Sequence, residues 1–158
     1  MKYNPDADQF RQEVHFQVVP SEPVNGANLI RLMGSLGFRL YHDVLAVPRR
    51  EKSPVWQSET FANVDVYLGG KRVPATQGAD SLIVSYPLAT LDASCVPVFA
   101  QLISQVAGVL GGCIKYRGRF VDEIEVNSIL SGLVLEVESA WGECVGSREL
   151  RVFIETMR

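Results

Sequence analysis

The second half of the chain alternates between the two hydrophobic periods that distinguish strands from helices. Short apolar or alternating stretches predict strands, and longer stretches with apolar residues three or four positions apart predict amphipathic helices. In chain order, they predict a strand at 81–86, a helix at about 95–110, strands at 113–116 and 119–121, a helix at about 123–145 and a strand at 150–157. This βαββαβ sequence of elements is the ferredoxin-like order, in which two helices cover one face of an antiparallel sheet.

Turn and capping residues mark most of these boundaries. Ser94 is a suitable N-cap for the first of the two helices, and Gly111 and Gly112 end it. Arg117-Gly118 suits the tight turn of a hairpin. The predicted inward face of the first helix carries Phe99, Leu102, Ile103, Val106 and Leu110, and that of the second carries Leu130, Leu133, Val137, Trp141 and Cys144.

The first half predicts one more strand and helix, followed by extended segments. Val14, Phe16 and Val18 alternate with polar residues, which indicates a strand with one buried face. A helix is predicted at 25–36, with Ile30, Met33 and Leu36 inward and Gly37 as its cap. Extended segments are predicted at 38–47, at 60–68 with Val64, Val66 and Leu68 in step, and at 71–73 beyond a Gly69-Gly70 turn, while 48–59 is a long polar loop.

The chain is predicted to be one α+β domain spanning residues 1–158, with a mainly antiparallel sheet and helices packed on one face. Its 158 residues are near the usual size of one domain. No linker rich in glycine, serine or charge separates the halves, although a division into 1–75 and 81–158 is the alternative.

Composition narrows the classes of partner. The formal net charge is −3, so salt-driven nucleic-acid binding, which needs an excess of Lys and Arg, is not expected. The first residues are polar and no stretch approaches the ~20 apolar residues of a membrane span, so a cytoplasmic protein without membrane contact is expected. Cys95, Cys113 and Cys144 are far apart and form no CxxC pair, which favours buried free thiols and no cofactor.

The candidate catalytic residues do not form a recognisable motif. His15 is expected to face solvent, and His42 and its neighbour Asp43 point to opposite faces of an extended segment. Neither histidine has metal-ligand spacing, so no metal site and no catalytic residue is predicted. If the protein is an enzyme or small-ligand sensor instead, Cys95, His42, Asp43 and Glu59 are the residues expected to converge on a pocket between the sheet and the helices.

Exposed aromatic and arginine residues are the natural candidates for a protein interface, since Trp, Tyr and Arg dominate interface energetics. Glu136 and Glu143 lie seven residues apart on one helix face, which is either a solvated surface or an acidic docking face. Segment 115–121 departs from the aromatic pattern of RNA-binding strands. The predicted interface residues are Trp56, Tyr67, Tyr116, Arg117, Glu136 and Glu143.

One segment near the C-terminus has a family resemblance. Residues 141–155 read Trp-Gly-Glu-Cys-Val-Gly-Ser-Arg-Glu-Leu-Arg-Val-Phe-Ile-Glu, which is similar to the tail of some small α+β immunity proteins of bacterial polymorphic toxin systems. The similarity covers under a fifth of the chain, and each residue also has a structural explanation, such as Trp141 in a core. It implies a cytoplasmic, non-catalytic protein that neutralises a toxin by binding it. The sequence leaves the oligomeric state and the identity of the partner open.

Overall fold

The computed structural model describes residues 13–41, 44–48, 60–87 and 92–144. In these ranges the chain forms eight strands and three α-helices. The strands are β1 (Glu13–Val19), β2 (Arg39–Tyr41), β3 (Val44–Pro48), β4 (Thr60–Leu68), β5 (Lys71–Val73), β6 (Ser81–Pro87), β7 (Cys113–Tyr116) and β8 (Arg119–Val121); the helices are α1 (Gly26–Ser35), α2 (Cys95–Val109) and α3 (Glu123–Cys144).

The strands of the two halves are interleaved in one antiparallel sheet. Their order is β2-β3-β4-β6-β1-β7-β8, and β5 pairs with β4. The first described strand, β1, therefore lies between β6 and β7, and is antiparallel to both. As a result β6 and β7 run parallel, connected by α2, with β1 inserted between them. The predicted α+β class with helices on one face of an antiparallel sheet is confirmed.

Helix α1 begins with a side-chain cap and ends with the predicted glycine cap. The Asn25 side chain accepts a hydrogen bond from the Asn28 backbone N–H at 2.9 Å. At the other end Gly37 has φ 96°, and the Phe38 N–H donates to the Met33 carbonyl, which together form a Schellman cap. Met33 is buried as predicted, but Leu29 is buried as well, whereas Ile30 and Leu36 are half-exposed.

The start of α2 corrects the predicted capping residue. Ser94 precedes the helix as expected, but its backbone is helical and its side chain does not cap. Asp92 supplies the capping oxygen instead: its Oδ1 accepts from the Cys95 backbone N–H at 2.9 Å and from the Ser94 hydroxyl at 2.6 Å. The predicted apolar stripe is confirmed, because all its members are buried: Phe99, Leu102, Ile103, Val106 and Leu110.

Helix α3 is buried along a stripe rotated from the predicted one. Val126, Leu130 and Val134 are buried at successive intervals of four residues, while Leu133 only packs at the edge of the core. Leu135 is apolar but exposed on the outer side of α3. Because apolar residues occur on both sides of this helix, their spacing did not identify its inward face by itself. The side chains of Trp141 and Cys144, the predicted strand at 150–157 and most of the 48–59 loop lie outside the described residues.

Four aromatic rings join the central strands to α2. Phe16 on β1 lies 6.2 Å from Phe99 on α2 and 5.0 Å from Tyr116 on β7, measured between ring centroids. The Tyr86 ring on β6 lies 5.0 Å from that of Phe99. Such aromatic pairs contribute roughly 0.5–1.5 kcal/mol each beyond the area they bury. The core is therefore centred on β1 and α2.

The capping role of Asp92 leads to a pH-dependent prediction. Partial burial raises the pKa of Asp92, but the hydrogen bonds donated by Ser94 and Cys95 outweigh it and hold the pKa below its ordinary value. The carboxylate therefore stabilises the fold above the unfolded-state pKa, and this contribution is lost as the pH falls through the folded-state pKa. We expect Asp92→Ala to lower the free energy of unfolding by about 1 kcal/mol near neutral pH.

Urea denaturation at several pH values measures this effect. The difference between Asp92→Ala and the wild type should shrink once the pH is below about 3.9, where the unfolded-state carboxyl is protonated. Ser94→Ala is the matched control, because it leaves the bond from Cys95 to Asp92 in place and should cost less. An equal loss in both variants would show that Asp92 is not the cap.

Candidate functional site on the open face of the sheet

Each central strand presents a polar side to the face of the sheet on which no described helix packs. On this face, which we call the open face, strand pairing places five residues side by side across five strands. The row runs Asp65, Ile83, Gln17, Lys115 and Phe120, on β4, β6, β1, β7 and β8. Since neighbouring strands lie about 4.8 Å apart, the row extends roughly 19 Å. The open face is thus a continuous surface built from both halves of the chain.

Side-chain hydrogen bonds cross between β1 and β6 on the open face. The Gln17 Nε2 donates to the Ser81 hydroxyl at 2.8 Å. The His15 Nδ1 lies 2.8 Å from the Ser85 hydroxyl oxygen. His15 is exposed, as predicted, but the sequence did not indicate its partner 70 residues away. These bonds hold the polar side chains in defined positions on the surface.

The His15–Ser85 pair has the elements of an activated nucleophile, but its burial does not suit one. A serine nucleophile needs its base within hydrogen-bond distance, which this pair satisfies. It must also be reachable by a substrate, and Ser85 is only 2% exposed. A buried hydroxyl needs a hydrogen-bond partner, and His15 supplies it. We therefore interpret the pair as structural.

A cavity lies at the outer edge of β4, where that strand changes partners. β3 pairs with β4 through Leu45 and Val64, and β5 pairs with it through Val73 and Val66, so the two neighbours meet beside Asp65. The Asp65 carboxylate forms a salt bridge with Arg72 at 2.9 Å. The cavity has a volume of about 400 Å³, and its remaining lining is aliphatic: Val44, Val64, Val66, Val73 and Pro74.

The β7–β8 hairpin combines cationic and aromatic groups at the other end of the open face. Arg117 and Gly118 both have positive φ, 51° and 80°, which is the geometry of a tight two-residue turn. The Lys115 ammonium lies 4.7 Å from the Phe120 ring centroid, and the Arg117 guanidinium lies 5.3 Å from that of Tyr116. Phe120 is 64% exposed.

The predicted interface residues are dispersed. Tyr67 is half-buried on the open face opposite Ser81, and Arg117 is exposed at the hairpin tip. The Tyr116 ring points the other way, toward Phe16 in the core. Glu136 is exposed on α3, the Glu143 side chain is not described although its backbone belongs to α3, and Trp56 lies outside the described residues.

The residues named for an enzymatic alternative are mostly not described. His42, Asp43 and Glu59 lie outside the described residues, and Cys95 is a half-buried free thiol in the first turn of α2. Within the described ranges, no three His, Cys, Asp or Glu side chains are grouped in a way that could hold a metal ion. Across the same ranges, no helix has the length and apolarity needed to span a membrane.

Sequence reasoning did not select Lys115 and Phe120, although a signal for them existed. Ile114 is buried, so alternation along β7 places Tyr116 inward and Lys115 outward. The two-residue turn then pairs Lys115 with Phe120 on the same face. The pairing of Gln17 with Ser81 and of His15 with Ser85 had no comparable local signal, because it depends on which strands become neighbours.

Comparison with known proteins does not assign the chain to a family. No protein-family model matches it, and a search of curated proteins finds no match. The functional interpretation therefore depends on the geometry described above.

The opposite orientations of Tyr116 and Phe120 lead to a stability prediction. Tyr116→Ala removes a ring that packs on Phe16, and should lower the free energy of unfolding by about 2 kcal/mol or more. Phe120→Ala removes an exposed ring and should cost below about 1 kcal/mol. Urea denaturation of both variants measures the difference. Equal losses would show that Phe120, too, is part of the packed core.

Proposed function

We propose that this protein is a non-catalytic binding protein that recognises another protein through the open face of its sheet. The observation that supports this most is the row of side chains across five strands, which spans polar, aliphatic, cationic and aromatic groups on a rigid surface. Interfaces commonly combine aromatic and cationic anchors with surrounding polar contacts. The interstrand hydrogen bonds of Gln17 and His15 reduce the side-chain entropy that would be lost on binding.

The more specific form of the proposal is a toxin-neutralising immunity protein acting in the bacterial cytoplasm. Its support is the resemblance of residues 141–155 to the tail of such proteins. Direct binding is the mechanism that fits a surface on which Ser85, the serine of the described serine–histidine pair, is buried. The partner would then be the toxin encoded beside the gene for this protein.

Affinity purification from the native host, followed by mass spectrometry, identifies the partner, and the product of the neighbouring reading frame is the first protein to examine. We expect Arg117→Ala and Trp56→Ala to weaken its binding at least about tenfold, which corresponds to about 1.4 kcal/mol. The melting temperature of Arg117→Ala should stay nearly unchanged, because that side chain is exposed. Calorimetric titration with the purified partner measures the affinity.

Arg31→Ala is the matched control, since Arg31 is exposed on α1, away from the open face. It should bind as the wild type does. Turnover of any substrate that is abolished by one replacement, with the fold intact, would contradict the proposal.

The second candidate function is binding of a small molecule in the cavity beside Asp65. Its volume of about 400 Å³ is within the range of ligand pockets, and it combines aliphatic walls with one charged pair. It lies at the sheet edge, whereas the sequence suggested a pocket between the sheet and the helices. The guanidinium of Arg72 can also bind a carboxylate of a ligand, since the salt bridge with Asp65 does not use all its donors.

A thermal-shift screen of small apolar carboxylates tests this second candidate. A ligand that binds in the cavity should raise the melting temperature of the wild type, and should raise that of Arg72→Ala much less. Arg119→Ala is the matched control, because Arg119 forms a similarly exposed salt bridge of 2.9 Å with Glu125 at a distant site. If both arginine variants respond as the wild type does, the cavity is not the binding site.

A further inference from the structure

The β7–β8 hairpin concentrates positive charge in a chain whose net charge is negative. Segment 115–121 contains three of the basic residues and no acidic one, while the whole chain has a net charge of −3. Arg119 is neutralised by Glu125 at 2.9 Å. Within the part of the chain that the structure describes, Lys115 and Arg117 form no salt bridge, so their charge is available to a partner.

The two available cations are positioned by aromatic rings. Lys115 lies against the Phe120 ring, and Arg117 lies against the Tyr116 ring at the tip of the hairpin. Each contact is worth roughly 0.5–1 kcal/mol at an exposed site, which limits the motion of both side chains. Lys115 and Phe120 thus lie together on the open face, while Arg117 lies at the hairpin tip against the ring that faces the core. We call these three residues the hairpin patch.

The backbone next to the hairpin patch can also take part in binding. A two-residue turn makes its flanking residues, Tyr116 and Arg119, a hydrogen-bonded pair. Lys115 and Phe120 are then the next, non-hydrogen-bonded pair, so the N–H and C=O of Phe120 point away from β7. Among the described strands β8 pairs with β7 alone, and an extended segment can reach these two groups.

From this arrangement we infer that the hairpin patch binds an extended acidic segment of the partner protein. Carboxylates of that segment pair with Lys115 and Arg117, an apolar side chain covers Phe120, and its backbone bonds to that of Phe120. Charge complementarity is the reason for choosing an acidic protein segment. This inference rests on the proposed protein-binding function and specifies the chemistry of the surface that is recognised.

The probe is a capped octapeptide with the repeat Glu-Glu-Val-Val, which places both Glu and Val on each face of an extended segment. It is titrated into the isotopically labelled full chain and followed by NMR. The amide resonances of residues 115–121 should shift, and the affinity should fall steeply when salt is raised from about 50 to about 500 mM, because exposed charges are screened. A peptide with Lys in place of Glu should not bind. Lys115→Glu and Arg117→Glu should each weaken binding at least about tenfold, or about 1.4 kcal/mol.

Lys71→Glu is the matched control, because Lys71 is an exposed cation beside the Gly69-Gly70 turn of the other described hairpin, and its replacement changes the net charge equally. It should bind the acidic peptide as the wild type does. Equal losses in Lys71→Glu and Arg117→Glu would indicate non-specific attraction and overturn the inference. An absence of shifts with the acidic peptide would also overturn it.

Octauridylate provides the test against a nucleic acid, since an exposed ring beside cations can also stack on bases. Tighter binding of octauridylate than of the acidic peptide, lost in Arg117→Glu, would replace the inference with a nucleic-acid site. The partner identified by affinity purification separates the two proposals. If that partner binds Lys115→Glu and Arg117→Glu as it binds the wild type, the hairpin patch is not its binding site, although the proposed protein recognition stands. If no partner protein binds the wild type, the proposed function itself fails.

Discussion

The pairing of β1 between β6 and β7 is the interaction on which the rest of the structure depends. It brings the first described strand of the chain into the centre of a sheet whose neighbours come from the second half. Phe16 on β1 packs against α2 and β7 on one face, while Gln17 and His15 bond to β6 on the other. A single strand therefore contributes to both the core and the open face.

This arrangement gives the two faces of the sheet different chemical character. The helices cover one face and bury its apolar side chains, so the fold does not need apolar residues on the opposite face. The open face carries polar and charged groups instead, including a cation beside an aromatic ring at one end and a cavity with a charged pair at the other. On this face Ser85 is buried beside His15, and we interpret that pair as structural.

The two ends of the open face suit different kinds of partner. The cavity beside Asp65 is small and mostly aliphatic, with one charged pair, Asp65 and Arg72. The hairpin patch is exposed and its cations are not neutralised by described acidic groups. A macromolecule can span the roughly 19 Å between them, whereas a small molecule can occupy only one. We therefore propose a protein partner, and not a small ligand, for the hairpin end.

The sequence by itself determined the local elements. Period-two and period-3.6 patterns identified the strands and helices within the described ranges, except that the single extended segment predicted at 38–47 is two antiparallel strands, β2 and β3. The Gly37 cap and the Arg117-Gly118 turn were predicted correctly because glycine chemistry is local. The tertiary structure decided which strands are neighbours, and hence that His15 meets Ser85 and Lys115 meets Gln17. Alternation assigns a residue to a face but does not choose the partner strand, since that choice depends on packing between segments far apart in the chain. The inward face of α3 was likewise settled only by the packed structure, because apolar residues occur on more than one side of that helix. So was the cap of α2, because both Asp92 and Ser94 carry a side-chain oxygen near the helix start.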